Sequence, residues 1–245
     1  PARMDTDDIA VILYSGGTTG VPQGILLSNM NFISEGKMVS EWGKLDDNAS
    51  VLAILPIFHG FGLGVCINAC FMGGGKSILV PVFTPETVAD LIRSRKPSFV
   101  IGVPTLFDAL SRNPKMHKAD LSCLRATFSG ADTLPRPVKE RFEEMVRKQG
   151  GNVQLLEGYG LTEAVTAIMA TPIGCYREGS IGVPFPDMLA KIVKLDTIEE
   201  APLGEEGEIC VAGPAVMMGY LDQPEETAAT LRKHADGRIW LHTGD

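Results

Sequence analysis

The sequence predicts an α/β protein, with mostly parallel sheets covered by helices and then a β-rich, barrel-like subdomain. Three observations carry this. Short apolar runs alternate with helical segments through about residue 158, a pattern that favours parallel sheets under helices. Small, polar or aromatic tips follow those runs, where open sheets of this kind place their ligands. Past residue 171 the texture changes: Pro172, Gly174, Gly179, Gly182, Pro184 and Pro186 punctuate short segments. The expected division is residues 1–170 as a nucleotide- and acyl-binding α/β part and 171–245 as the β-rich subdomain.

The elements follow in order. Ile9-Ala10-Val11-Ile12-Leu13-Tyr14 reads as a buried strand, Ser15 to Gly24 as a small-residue loop, and Ile25-Leu26-Leu27 as a second extended segment. Ser28 or Asn29 caps a helix to about Lys44, ended by Asp46-Asp47-Asn48. Val51–Leu55 is a buried strand stopped by Pro56, Phe61–Met72 an apolar helix, and Ser77–Val82 a strand. Thr84 caps a helix that starts with Pro85 and ends near Lys96-Pro97. Phe99–Ile101 is a strand, Pro104–Ser111 a short helix, and Arg125–Ser129 another strand. Pro135 opens an amphipathic helix to Gln149, stopped by Gly150-Gly151, and Val153–Glu157 is again a strand. Leu189–Leu195 and Glu208–Ala212 are strands of the second part, and Pro224–Leu231 is one more short helix.

The bulk numbers narrow the class. With 245 residues, 44% hydrophobic and 21% charged, the chain has the make-up of a soluble globular protein of one large or two ordinary domains. A net charge of −8 without a basic cluster argues against a nucleic-acid partner. No run approaches the ~18 apolar residues of a membrane span, and Pro1-Ala2-Arg3-Met4-Asp5 has no signal-peptide core, so a cytoplasmic location is expected. The cysteines at 66, 70, 123, 175 and 210 lack a C-x-x-C and read as small buried hydrophobes. The four histidines share no metal-ligand spacing with them or with each other, so a protein-built zinc site is not expected.

Ser15-Gly16-Gly17-Thr18-Thr19-Gly20 contains only Ser, Thr and Gly. Glycines let backbone N–H groups converge on an anion, and hydroxyls add donors, so the loop suits phosphate. It also suits a plain turn. It is no Walker loop, because no spacing supplies a second Gly followed by Lys.

Gly158-Tyr159-Gly160-Leu161-Thr162-Glu163, Gly204-Glu205-Glu206-Gly207-Glu208-Ile209 before Gly219-Tyr220, and Thr243-Gly244-Asp245 accompany that loop in order. Together these motifs resemble the adenylate-forming superfamily: acyl- and aryl-CoA ligases, firefly-type luciferases and the adenylation domains of peptide synthetases. The look is nearest to fatty-acyl- or 4-coumarate-type CoA ligases. The resemblance implies ATP-dependent activation of a fatty or aromatic carboxylic acid as its adenylate, with release of pyrophosphate. Thioester formation with coenzyme A follows. ATP/AMP, Mg²⁺ and coenzyme A are the implied cofactors.

By the same resemblance, Ser15, Gly16, Gly17, Thr18, Thr19, Gly20 and Gln23 hold the β- and γ-phosphates. Tyr159, between Gly158 and Gly160, stacks on adenine, a task suited to a flat, partly polar ring, and Gly130-Ala131 faces the base. Thr162 bonds the α-phosphate, Glu163 ligates Mg²⁺, and Asp245, acceptor-only when ionised, takes the ribose hydroxyls. His59 lies beside the substrate carboxylate; Phe61, Gly62, Val103 and Pro104 wall the acyl pocket.

Two departures stand out. Gln23 occupies the place where the family pattern has lysine, so a neutral donor replaces a charged one. Charge-assisted bonds contribute about 1.5–3 kcal/mol against ~0.5–1.5 for neutral ones, which predicts roughly tenfold weaker ATP handling. The family's N-terminal segment and its small C-terminal domain, with the lysine that stabilises adenylation, are not expected within these residues, so the isolated chain is expected to turn over little. Two alternatives remain open: a weakened homologue acting as a binding module, and a peptide-synthetase-type adenylation domain. The oligomeric state is not indicated.

Overall fold

In the computed structural model, residues 4–15 and 22–245 are described. Strands β1 (Ile9–Ser15) and β2 (Gln23–Ser28) form an antiparallel pair in which Ser15 pairs with Gln23, at the end where the small-residue segment joins them in sequence. Gly16, Gly17, Thr18, Thr19 and Gly20 themselves lie outside the described residues. Ser28 ends β2 and caps α1 (Asn29–Gly43). Its Oγ accepts from Asn31 N at 3.1 Å, and Ser28 N donates to Asn31 Oδ1 at 2.8 Å, a reciprocal cap that satisfies two orphan donors. Lys44 closes the helix in the left-handed region, where the sequence places its end.

The chain then alternates as expected: β3 (Ser50–Ala53), a helix through Met72, β4 (Lys76–Leu79), α3 (Pro85–Arg95), β5 (Phe99–Gly102), α4 (Pro104–Arg112), β6 (Ala126–Ser129), α5 (Arg136–Lys148) and β7 (Leu155–Gly160). Thr84 Oγ1 accepts from Thr87 N at 3.0 Å and Pro85 opens α3, as its sequence predicts. Strands β8 (Ala167–Ala170) and β9 (Val183–Pro184) complete a seven-stranded sheet, ordered β4-β3-β5-β6-β7-β8-β9. Pairing is parallel from β4 to β7 and antiparallel from β7 onward.

Alternation along the strands builds two cores. Val51, Ala53, Phe99 and Ile101 face the layer of α1 and the helix after Pro56. Leu52, Val100 and Leu155 face α3, α4 and α5, where Phe107 and Phe142 meet edge to face with centroids 4.9 Å apart. Past residue 188 lies a four-stranded antiparallel sheet, ordered β10 (Leu189–Val193), β11 (Glu208–Ala212), β14 (Ile239–His242) and β13 (Leu231–Lys233). A short α6 (Pro224–Thr230) precedes β13. Strand β12 (Gly219–Tyr220) instead joins β2, making a three-stranded sheet with the β1–β2 pair.

Two expectations are corrected, and a third feature lay beyond what spacing can show. The apolar helix after Pro56 is present, but Phe61–Ala69 is wound as a π-helix and only Cys70–Met72 (α2) as α. Gly62 and Gly64 accommodate that path: a Cβ on Gly62 would sit 2.3 Å from Pro56 O, and one on Gly64 2.7 Å from Thr166 Cγ2. Strand β7 runs on through Gly158-Tyr159-Gly160, because β8 offers an antiparallel partner to that motif; the sequence reading ends it at Glu157. And the Cys/His pattern, unreadable by spacing, converges in space: Cys210, His234 and His242 are buried together. Of the cysteines, Cys66, Cys70 and Cys210 are buried as expected, whereas Cys175 is exposed.

Among the buried polar groups without a partner, one is a carboxylate. Glu35 on α1 is fully buried, and neither carboxylate oxygen has a hydrogen-bond partner among the described residues. The nearby Asn68 amide donates instead to Phe32 O at 2.6 Å. Burial pushes the Glu35 carboxyl up to about 8.

Candidate active site

Beyond the carboxyl ends of β6 and β7 lies a cavity of about 260 Å³. Its exposed or half-buried lining residues, which mark the mouth, include His59, Ala131, Tyr159, Gly160 and Thr162, with the buried Gly130 beside them. Its interior is apolar, lined by Trp42, Phe99, Ile101, Phe128, Met169 and Phe185. Ser129 also borders it, with a hydroxyl that is buried and has no hydrogen-bond partner among the described residues. Polar groups gathered at one end of an apolar cleft are what a small-molecule site requires.

The backbone around the mouth is strained. Ala131 has φ 66°, and Val165 has φ 66° and ψ −61°. With Thr166 N donating to Ala164 O at 2.8 Å, Val165 is the centre of a γ-turn in its strained form. A β-branched residue at positive φ is costly, and such costs gather at functional sites. The turn carries Thr162 and Glu163 back toward β8. Its neighbours must be small: a Cβ on Gly160 would lie 1.8 Å from Thr166 O, and one on Gly60 2.1 Å from Val165 O.

Hydrogen bonds connect the polar residues. Tyr159 OH donates to Asp245 Oδ2 at 2.6 Å, fixing the direction of the ring. Burial, then the Asp245 carboxylate, raises the Tyr159 phenol above its ordinary range, so the phenol stays a donor. Asp245 itself is exposed, and its turn is tied to β11: Thr243 Oγ1 donates to Ile209 O at 2.8 Å and Ile209 N to Asp245 O at 3.0 Å. Glu163 Oε1 accepts from Tyr220 OH at 3.1 Å; Oε2 makes no hydrogen bond among the described residues. Burial, then the Glu163 charge, pushes Tyr220 up to about 12. Half-buried, with one carboxylate oxygen uncommitted, Glu163 fits a hard cation that takes oxygen ligands. His59 is exposed, and its Nδ1 accepts from Phe61 N at 3.1 Å. Gln23 Nε2 donates to Gln223 Oε1 at 3.0 Å.

The structure therefore brings together most of the described site residues the sequence singles out. Thr162, His59, Gly130, Ala131, Gly158, Tyr159, Gly160 and Phe61 border one cavity, and Asp245 and Glu163 adjoin it through Tyr159 and Thr162. Ser15 and Gln23 pair at the end of β1 and β2 where the small-residue segment joins them in sequence. Of the residues expected to wall the acyl pocket, Phe61 lines this cavity, and Gly62, Val103 and Pro104 are not among its lining residues. Val103 packs on the core beneath α4, Pro104 is buried as the first residue of that helix, and Gly62 abuts the backbone of Pro56. The wall that sequence reasoning missed comes from α1, β5, β6 and β8. Val39 and Trp42 stand one helical turn apart, and Phe99 and Ile101 alternate along a strand. Those spacings were legible, but not that both faces point into one cavity.

Comparison with known proteins agrees with this geometry. The family described as "AMP-binding enzyme" matches residues 1–221. The chain is 42% identical over 241 residues to a long-chain-fatty-acid–CoA ligase of Bacillus subtilis, covering 97% of this chain and 41% of that protein. It is 36% identical over 246 residues to a probable 4-coumarate–CoA ligase of Dictyostelium discoideum, covering 99% and 43% respectively. Among solved structures, apo MatB from Rhodopseudomonas palustris superposes with a TM-score of 0.86 at 31% identity, over 98% of this chain and 46% of that one. The chain thus spans about two fifths of the length of the curated relatives it matches. On its motifs, its fold and these matches, the chain belongs to the AMP-binding enzyme family of adenylate-forming proteins.

Proposed function

We propose that the protein containing this chain activates an apolar carboxylic acid, fatty or aromatic, with ATP and passes the acyl group to coenzyme A. The carrying observation is the cavity: a polar mouth of Tyr159, Thr162 and His59 over an apolar interior that includes Trp42 and Phe185. Such a shape receives an acyl tail inside and keeps its carboxylate at the mouth. The names of the relatives, a long-chain-fatty-acid–CoA ligase and a 4-coumarate–CoA ligase, support the same substrate class.

Each residue then has a task that its surroundings suit. Tyr159, held by Asp245, offers its ring face to the adenine, while the Cβ-less walls at Gly130 and Gly158 let a flat base approach the backbone. Asp245 accepts from ribose hydroxyls. Thr162 donates to the α-phosphate where the carboxylate attacks, and the small-residue loop holds the leaving pyrophosphate through backbone donors. Glu163, positioned by Tyr220, is the residue to hold Mg²⁺, which neutralises polyphosphate charge when bound. His59, at the mouth beside Phe61, orients the acid's carboxylate.

The test is carboxylate-dependent ATP–pyrophosphate exchange by the full-length protein, across straight-chain and aryl acids, alongside a Gln23→Lys variant. The expected result is exchange with fatty or aryl acids, strengthened about tenfold by the lysine's added charge. No exchange with any acid in either protein refutes the reading and leaves a binding module. Transfer to a carrier-protein thiol in place of free coenzyme A makes the protein an adenylation domain of peptide-synthetase type.

A further inference from the structure

The β-rich sheet contains a second set of chemistry-bearing side chains outside the nucleotide cavity. Cys210 on β11 and His242 on β14 are direct cross-strand partners, and His234 lies just past the end of β13. All three are buried, at 0%, 6% and 4% exposure, and their sulfur and nitrogen donor atoms lie within 4.8 Å of one another. His234 Nε2 and His242 Nε2 are 2.9 Å apart, within hydrogen-bond distance of each other. His242 Nδ1 is 2.7 Å from Glu208 Oε2, and Glu208 Oε1 accepts from Gly244 N at 3.0 Å. His234 Nδ1 is buried with no partner among the described residues, so its ring is not held by a hydrogen bond there.

We propose that Cys210, His234 and His242 bind a zinc-class divalent ion that braces the turn carrying Asp245. The donor set decides the metal: one sulfur and two imidazole nitrogens suit a borderline-soft ion in a tetrahedral site and do not suit Mg²⁺. The carboxylate on His242 Nδ1 is the outer partner that fixes which ring nitrogen is free to ligate. A tetrahedral zinc ion with bonds of about 2.0–2.3 Å spaces its ligands roughly 3.3–3.6 Å apart. The two imidazoles must therefore part slightly and the Cys210 sulfur close in by at most about 1.2–1.5 Å. The fourth position takes water. On binding, Cys210 loses its thiol proton to solvent, and the proton between the two imidazoles moves to His234 Nδ1. The charges around the cluster are mixed, with Glu208 and Asp236 against Lys191 and Arg232, and the new thiolate supplies the negative charge the ion needs. Through Glu208 the ion would hold Gly244, and with it the turn that ends in Asp245.

The test is a Co²⁺ titration of chelator-stripped protein with Mg²⁺ in large excess. The expected result is one Co²⁺ per chain, with a thiolate-to-cobalt charge-transfer band and the strong ligand-field absorption of four-coordinate geometry, both abolished by Zn²⁺. Cys210→Ser loses the charge-transfer band, while Cys175→Ser at the exposed cysteine keeps it. His234→Asn lowers affinity by more than the roughly 10–100-fold that follows loss of an outer partner. The wild-type titration needs no variant to fold. Absence of the band there, or its suppression by Mg²⁺, overturns the proposal, as does a band that survives in folded Cys210→Ser.

Discussion

Replacing Glu35 by glutamine should flatten the stability of this fold against pH. The wild-type carboxyl is fully buried without a hydrogen-bond partner among the described residues, and burial raises it from 4.5 to about 8. Between those values the unfolded chain has released the proton and the folded chain still holds it. Stability therefore falls as pH rises, by about 1.4 kcal/mol per pH unit, and levels off once the folded carboxyl also ionises. Across the whole window the loss is about 5 kcal/mol, most of it already present at pH 7. That is a large share of the roughly 5–15 kcal/mol that holds a typical domain folded. The amide of glutamine has nearly the same shape and no charge to desolvate. Urea unfolding of both proteins from pH 5 to pH 9 measures the difference directly. The variant should gain on wild type steadily to about pH 8 and then run parallel to it. Two curves that stay parallel throughout would refute the reasoning, because Glu35 would then be ionised in a solvated or paired state.

Three further outcomes follow from the cavity. Tyr159→Phe removes the donor to Asp245 at 2.6 Å; a bond to a charged group contributes about 1.5–3 kcal/mol, so the Kd for AMP should rise at least tenfold, read by calorimetry. Gly160→Ala places a methyl 1.8 Å from the Thr166 carbonyl, a backbone atom that cannot rotate away, and should cost at least about 1–3 kcal/mol in chemical denaturation. Trp42→Ala lengthens the apolar interior beside Phe185, whose ring centroid lies 5.1 Å from that of Trp42. In the full-length protein the best straight-chain acid, ranked by kcat/KM, should shift to longer chains.

How much of this was legible in the sequence depends on the range of the interaction that decides each element. The α1 and α3 starts were readable because Ser28 and Thr84 cap within three residues of themselves, and local rules suffice. Tyr159, Thr162 and Glu163 were singled out through the motif's resemblance to a known family, and Tyr159 and Thr162 do line one cavity. The extension of β7 was not: Tyr159 is strand only because Met169 pairs with it. The apolar interior was not either, since Trp42 and Phe185 meet across more than a hundred residues of chain. The Cys210–His234–His242 cluster shows the same limit most sharply. Cross-strand pairing, which spacing along the chain does not encode, makes Cys210 and His242 neighbours.

The same reasoning changes what Gln23 signifies. The β1–β2 pair it belongs to is not free-standing. Strand β12 pairs with β2, Met218 N donates to Leu26 O at 2.9 Å, and Leu221 N to Gly24 O at 2.7 Å. One residue earlier, Met217 N donates to Glu163 O at 2.8 Å, so the segment that clamps the strand pair also clamps the Thr162-Glu163 turn. The proposed pyrophosphate loop and metal ligand are thus set against each other by residues some two hundred positions downstream of the loop. Gln23 lies within this clamp, its amide donating to Gln223 Oε1. A lysine at 23 can donate to that same oxygen, so Gln23→Lys adds charge at the end of β2 without removing the hydrogen bond that seats it. That separates the two explanations for a weak enzyme. If the lysine raises exchange with unchanged stability, the missing charge was the deficit; if exchange stays flat, the strand pair's position sets the rate and the charge does not.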